Sequence, residues 1–355
     1  MKARNAAKTL KSVGFASPRT VGVPDPYVSV VVTAYNRKKY LPDALRSLEA
    51  QTLDKDKFEV IVVKNFEDPV SDSIIRRNGW RWVYSDERWQ GPFTLAGVEE
   101  ARGEVVTFLD DDDMYAPERL QVVERAFEEV KDLAYFHNAQ LVVDEAGRPV
   151  GARGLRGGRL CFTPASVPLR EAHRLAVDFN SSSIAVRREV LASGAGLIKL
   201  IRKSFDTALF AASLRYGEGL ALCHVGEPLT LYRWYSGPSS SARGLGAVDD
   251  VVEWARRYAS VMRDYYADYS AMLGFVPRGR GAELIRLRLV TSKMILALAR
   301  GVSGSRDRAG LGDYVSLLSL ALRGLYTKRA LLAAVSWPLP LRLRLAALEL
   351  VKSRS

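Results

Sequence analysis

The chain has 355 residues, 48% hydrophobic and 26% charged, which excludes a disordered or fibrous protein and leaves room for one large α/β domain with an appendage or for two ordinary domains. Two cysteines, Cys161 and Cys223, stand far apart in no metal spacing, and three histidines are scattered, so neither a disulfide framework nor a zinc site is expected, and a reducing compartment is. The net charge of +12 sits at the ends: residues 1–27 hold five Lys or Arg against one Asp, residues 28–242 hold 28 against 30, and residues 243–355 hold 19 against 9. A basic excess draws anionic lipid, phosphorylated substrates or nucleic acid. No nucleic-acid motif accompanies it, and no apolar run follows the basic N-terminus as a signal peptide would require.

Three regions follow: a basic segment (1–27), a near-neutral domain (28–242) and a basic tail (243–355). In the domain, "YVSVVVTAYN" reads as an apolar strand ending in a polar loop, and "KKYLPDALRSLEAQ" as a helix with Leu41, Ala44, Leu45 and Leu48 on one face. "FEVIVVKN" is a second strand, "WRWVYS" a third, "GPFTLAGVEEARG" a helix ended by Gly103, and "EVVTFLD" a fourth strand. Near-continuous apolar strands separated by helices predict a mostly parallel sheet covered on both faces. Ligands bind beyond the carboxyl ends of such strands, so the tips "TAYNR", "KNFED" and "DDDD" are expected to meet at one site.

The fourth strand runs into four consecutive aspartates, Asp110 to Asp113. One aspartate would cap the helix that follows Pro117; four need a counter-charge. The spacing of Asp110 and Asp112 lets two carboxylates face one hard divalent cation, Mg²⁺ or Mn²⁺, of the kind that also binds substrate phosphates. There is no G-x-x-x-x-G-K-[ST] and no G-x-G-x-x-G after the first strand, which argues against a P-loop hydrolase and a dinucleotide site. A metal on a diphosphate without a glycine loop points to a sugar nucleotide.

"VSVVVTAYNRKKYLPDALRSLEAQT", "FEVIVVKN" and "ARGEVVTFLDDDDMYAPERL", in that order, resemble family 2 of the inverting glycosyltransferases, with the GT-A fold, from about Val28 to about Ser241. The resemblance implies a metal-dependent hexosyltransferase in which Asp110 lies near the ribose, Asp112 binds the metal on the diphosphate with Asp110, and Asp111 or Asp113 assists. It places Thr33, Ala34, Tyr35 and Asn36 against the nucleotide. The family's paired aspartates after the second strand are replaced by Lys64–Asn65, which leaves Asn65 for the nucleotide and the choice of base open, the alternative being that Lys64 and Asn65 only solvate a loop. "KSFDTALFAASLRYG" resembles the helix that carries the general base, here Asp206, although Phe205 replaces the usual preceding Glu; the plain alternative is that Asp206 caps its helix. "LTLYRWYSGPSSS" resembles the end of the catalytic domain, and its Arg233–Trp234 the Arg-Trp of cellulose-synthase-like members: Arg233 for a diphosphate, Trp234 for a sugar face.

In the tail, "WARRYASVMRDYYADYSAML" reads as an aromatic-striped helix packed on the domain. Leu-rich segments studded with arginine follow. The longest uncharged run, Ala330 to Leu341, has 12 residues where a span needs about 20. Apolar faces beside Arg and Lys suit helices lying in the headgroup layer or short re-entrant helices with snorkelling arginines, so association with the cytoplasmic face of an anionic membrane is expected, a cytosolic helical dimerisation or cover domain being the alternative. Together these features predict transfer of a hexose, mannose from GDP-mannose first, to a polyprenyl- or dolichyl-phosphate-type acceptor. A UDP-sugar transferase of cell-surface polysaccharide synthesis and a non-catalytic binding module are the alternatives.

Overall fold

The computed structural model describes residues 26–217, 219, 221–234, 250–299, 309–336 and 340–352. The basic segment up to residue 25, residues 235–241 of the Gly/Ser-rich stretch and the expected boundary at 242–243 lie outside the described residues.

Strand β1 (Val28–Ala34) is the axis of the first half. It pairs in parallel with β2 (Phe58–Lys64) on one side and β4 (Val105–Asp110) on the other, and β3 (Arg81–Tyr84) extends the β2 edge. Alternate side chains serve opposite layers. Val30 and Val32 join Val60, Val62 and Leu109 beneath α1 (Leu41–Glu49) and α2 (Pro69–Arg77), while Val31 joins Ile61, Val63 and Phe108 beneath α3 (Gln90–Val98). Each such fully buried valine or leucine stabilises the fold by about 1.5–3 kcal/mol relative to exposure. Helix α3 ends five residues before Gly103, which occupies the following turn; a Cβ there would lie 2.6 Å from the Ser29 backbone nitrogen.

Beyond β4 the sheet turns mixed. Its order is β3-β2-β1-β4-β9-β6-β10-β5, with β9 (Ile184–Arg187) antiparallel to both β4 and β6 (Leu133–Val143), and the long β10 (Ala221–Arg233) parallel to β6. The two-residue β5 (Met114–Tyr115) pairs with β10 just after the aspartates, and α4 (Arg119–Glu129) follows it. β7 (Pro149–Arg153) borders β6, and β8 (Arg159–Phe162) borders β10. That last pairing corrects the cysteine expectation: Cys161 lies directly opposite Cys223 in the antiparallel ladder, and the two form a disulfide.

Helices α5 (Leu169–Leu175), α6 (Arg188–Ile198) and α7 (Phe205–Tyr216) cover one face, and the tail packs on them. Helix α8 (Val251–Phe275) buries Trp254, Tyr258, Met262 and Tyr269, as its aromatic stripe predicts. Helix α9 (Arg280–Leu298) is a core helix: Leu284, Ile285 and Leu287 join the same apolar cluster as α6 and α7. The Leu-rich segment "DYVSLLSLALRGLYTKRALLAAVSW" breaks at Gly324, at φ +78°, into α10 (Leu311–Leu322) and α11 (Lys328–Ser336), before α12 (Leu341–Lys352). On α10 only Leu317 and Leu320 are buried, whereas Leu311, Val315, Leu318 and Leu322 are exposed in one helical stripe. Among the described residues no helix is long and apolar enough to cross a membrane.

Candidate active site

Because the chain leaves β1 for β2 and β3 on one side and returns to β4 on the other, the crevice between the tips of β1 and β4 is the switch point of the parallel half. The register sets Thr33 beside Asp110, and the Thr33 hydroxyl donates to the Asp110 carboxylate at 3.0 Å. Ser181 donates to its other oxygen at 2.8 Å. Asp111 is buried against the Arg37 guanidinium, whose Nη1 also lies 2.8 Å from Asp112. Asp113, buried too, accepts from Asn180 Nδ2 at 3.1 Å and from the Arg233 backbone N–H at 2.9 Å. Burial, with the charge of Asp112, pushes the Asp110 carboxyl up to about 6, and burial raises Asp111 and Asp113 as well. The four aspartates therefore divide: Asp111 and Asp113 are buried, while Asp110 and Asp112 are half-buried, Asp112 with 18% of its side chain exposed.

The neighbouring tips hold one another. Asn36, at φ +55°, donates its backbone N–H to Asn65 Oδ1, and Asn65 Nδ2 returns a bond to Asn36 Oδ1, both at 2.8 Å. Asparagine is among the side-chain-bearing residues that best tolerate this backbone region. Tyr35 is exposed and meets the Phe93 ring edge-on at 5.4 Å, while Ala34 turns into the core. Asn36 and Tyr35 line the cavity; Asn65 stands behind Asn36. Lys64 is buried and paired to Asp72 at 2.5 Å, so it supports α2 and not a ligand.

The rest of the cavity lining comes largely from the second half of the domain and the tail. Gly91 opens α3 against the end of α6, where a Cβ would lie 1.9 Å from the Ile198 carbonyl oxygen; this approach brings Trp89 to 4.9 Å from the Arg202 guanidinium. Asp268 of α8 accepts the backbone N–H groups of Arg202, Lys203 and Ser204, which fixes the loop into α7. Asp206 follows in the first turn of α7, where it accepts from the backbone N–H groups of Asn180 (3.0 Å) and Thr207 (2.7 Å). Burial holds its carboxyl above the usual range, which makes the carboxylate a better proton acceptor. Asp178 accepts from Nε and Nη2 of Arg288 of α9 with its two carboxylate oxygens; burial opposes the charge, but the guanidinium holds Asp178 below the usual range.

Asp110 to Asp113, Asp178, Asp206 and Arg288 all line one cavity of about 1260 Å³. That exceeds the roughly 300–1,000 Å³ of a typical small-molecule site and has room for two substrates. Its lining also includes the apolar side chains of Met262, Leu284, Leu287 and Ile295 from α8 and α9.

Two sequence expectations are redirected. Arg233 is 4% exposed, and its guanidinium donates to the Asp112 carbonyl (3.0 Å), the Glu145 carbonyl (2.6 Å) and Asp43 (3.2 Å) while stacking on Tyr40. It braces the aspartate turn from behind and does not face the cavity, because its partners come from α1 and the β6–β7 connection. Trp234 lies outside the cavity lining, with the Arg153 guanidinium 5.9 Å from its ring. The residues that sequence reading missed are Arg37, inside the quoted tip "TAYNR", and the Asp178–Arg288 pair, whose members lie 110 residues apart.

Residues 29–159 match the family model described as glycosyl transferase family 2. An uncharacterised glycosyltransferase of Nostoc sp. is 28% identical over 46% of this chain and 52% of its own length; one of Haemophilus influenzae is 23% identical over 65% and 76%. The chain thus spans about half the length of the Nostoc relative. Among solved structures, TarS 1-349 from S. aureus aligns with a TM-score of 0.52 at 16% identity, over 92% of each chain. A mannosyltransferase from Pyrobaculum calidifontis, in complex with GDP-Man and Mn²⁺, aligns at 0.50 and 14% identity, over 93% of this chain and 88% of that one. The fold is that of the GT-A glycosyltransferases, with a helical C-terminal region.

Proposed function

We propose that this chain, which carries a glycosyl transferase family 2 domain, moves a hexose from a nucleoside-diphosphate sugar to an acceptor in one inverting displacement. The observation that supports this reading is that the aspartate turn and Asp206 line one cavity, with Asn180 bonded to both Asp113 and Asp206. Thr33, Tyr35, Asn36 and Asp110 would receive the nucleoside and Asp112 the diphosphate end. Asp206 would accept the proton of an attacking hydroxyl, its basicity raised by burial. A phosphate acceptor, already ionised, would need no such base.

Among the described residues no group of three or more His, Cys, Asp or Glu is arranged to hold a metal. The donor set still fits Mg²⁺ or Mn²⁺, which are commonly held by one or two carboxylates and substrate phosphates. The turn already draws a cation, since Arg37 lies across Asp111 and Asp112. Asp112, with Asp110, would hold the ion, which when bound neutralises charge on the departing diphosphate.

GDP-mannose is the first donor reading, in keeping with the mannosyltransferase of like fold, and a UDP-sugar is the second, since TarS has also been crystallised with UDP. The acceptor reading is a lipid-linked one. Its support is the exposed α10 stripe in a region of +10 net charge, which suits the cytoplasmic surface of an anionic membrane. The test is thermal unfolding with GDP, UDP and their sugars, with and without Mn²⁺. One nucleotide should raise the midpoint only with metal, and Asp112→Ala should abolish both that rise and sugar transfer. A variant that transfers sugar with an undiminished metal response would sink the assignment.

A further inference from the structure

Three consecutive basic residues, Arg37, Lys38 and Lys39, follow β1, and the fold sends them to different places. The Lys38 ammonium donates to the Glu67 carbonyl at 2.7 Å, and Lys39 pairs with Glu145 at 3.0 Å. Arg37, half-buried, turns to the aspartates and lines the cavity. The backbone before it is fixed, because Asn65 holds both the backbone N–H and the side chain of Asn36.

The three nitrogens of the Arg37 guanidinium are divided between two carboxylates. Nε donates to one oxygen of Asp111 at 3.1 Å and Nη2 donates to the other, the two-bond fit of an arginine fork to a carboxylate. Nη1 lies outside that fork and reaches Asp112 at 2.8 Å. One edge of the guanidinium is thus anchored on a buried partner, and the remaining arm lies on the more open carboxylate. The guanidinium of Arg233 is committed behind the turn, to the Asp112 and Glu145 carbonyls and to Asp43.

This division suits an exchange. A divalent ion and Nη1 compete for Asp112, since two cations on one carboxylate repel each other. Released from Asp112, Nη1 offers two N–H donors while Nε and Nη2 remain on Asp111, and the oxygens of a diphosphate are matched acceptors for them. Charge stays balanced throughout: the carboxylate exchanges a guanidinium for an ion, and the guanidinium exchanges a carboxylate for a phosphate. An arginine already held along one edge also loses little freedom when its other arm binds.

We propose that Arg37 is a donor-binding residue, anchored on Asp111, that yields Asp112 to the divalent ion and turns Nη1 to the diphosphate of the donor. This rests on the glycosyltransfer reading and gives Asp111 the part of an anchor, apart from the carboxylates that hold the ion.

The experiment measures Mn²⁺ binding alone, from the loss of the free-ion signal in electron paramagnetic resonance, and then titrates GDP and UDP calorimetrically at saturating Mn²⁺. The informative variant is Arg37→Gln with Asp111→Asn, which leaves the net charge of the turn unchanged and replaces an ion pair by a neutral pair, a change that folds often tolerate. It should bind Mn²⁺ alone at least threefold more tightly than the unaltered chain, because Asp112 has lost its internal competitor, and should bind the preferred nucleotide at least tenfold more weakly. A merely structural role would weaken both. Lys39→Gln, which removes a cation of the same cavity that is paired elsewhere, should leave both affinities within twofold. Unchanged or weaker Mn²⁺ binding by the double variant would overturn the proposal, and weaker binding would make Asp111 a ligand of the ion. Undiminished nucleotide binding by that variant would overturn it too, while leaving the donor reading in place. Failure of the unaltered chain to bind either nucleotide with Mn²⁺ would end the donor reading itself, so the two failures are distinguishable.

Discussion

The aspartate turn and helix α10 pose the same problem in opposite chemistry, because each gathers groups that do not favour one another's company in its surroundings. The turn gathers four carboxylates, and the fold settles them internally: Arg37 reaches two, Ser181 and Thr33 a third, Asn180 and the Arg233 backbone the fourth. Helix α10 gathers four bare aliphatic side chains on a face where no other part of the described chain covers them. The first arrangement is complete in water, and the second is complete only against something apolar. A like-charge cluster with built-in partners is a site, whereas an apolar stripe without them is a surface waiting for a medium.

Three experiments break or sharpen this contrast. The largest effect belongs to the interior. If the acceptor presents a hydroxyl, Asp206→Asn should lower the transfer rate by about 10²–10⁴ and leave nucleotide affinity nearly unchanged, as steady-state rates and titrations would show. Loss of nucleotide binding would mean that the two walls are not independent.

An intermediate effect concerns another internally settled pair. His137 and His224 stack with their Nδ1 atoms 2.8 Å apart in the core. Burial and then the His224 charge push His137 down to about 3, and burial lowers His224 too. Both rings therefore take up protons less readily in the folded state than in the unfolded chain, which does so below about 6.5. Their contribution is therefore complete above that pH and is lost as pH falls, at up to about 1.4 kcal/mol per unit for each ring. Urea midpoints at pH 7.5 and 5.5 should diverge less in His137→Asn with His224→Asn than in the unaltered protein; equal divergence would refute the assignment.

The smallest effect on folding is the most telling for α10. Val315→Asp with Leu318→Asp should change stability by less than about 0.5 kcal/mol, since both side chains already face water. The same change should abolish flotation with anionic liposomes. A variant that floats as well as the unaltered chain would take the membrane reading away from this helix.

Much of the first half was legible because it is local. Strands β1, β2 and β4 are continuous apolar runs, and once they are parallel their tips must converge, so Thr33, Asn36 and Asp110 follow from pattern alone. Hydrophobic runs carry no direction, however, and nothing in "NSSSIAVRREVL" says that β9 lies antiparallel to β4. The partners of Arg233, Arg288 and Cys161 lie beyond reach for a similar reason. Asp43 is 190 residues from Arg233, and Asp178 is 110 from Arg288, so each pairing depends on topology that no local motif encodes. The tail was misjudged in one respect. The arginines of "AELIRLRLVTSKMILALARG" point to a surface helix, but α9 sends its leucines into the core, and Arg288, half-buried, turns to the cavity with Asp178 to meet it.

The disulfide also divides the chain in a way that the sheet does not. The bond between Cys161 and Cys223 closes a covalent ring over a separation of 62 residues, and Asp178, Asn180 and Asp206 lie inside that ring while all four aspartates of the turn lie outside it. In the chain-entropy account a ring of that size restrains the unfolded state by about 4 kcal/mol, and the restraint is felt by the enclosed segment. Donor-side and base-side residues therefore share a cavity but not a covalent ring. Hydrogen bonds stitch them across its boundary, because Ser181 and Asn180, inside the ring, donate to Asp110 and Asp113 outside it, so opening the disulfide would weaken the support of the aspartate turn along with that of Asp206.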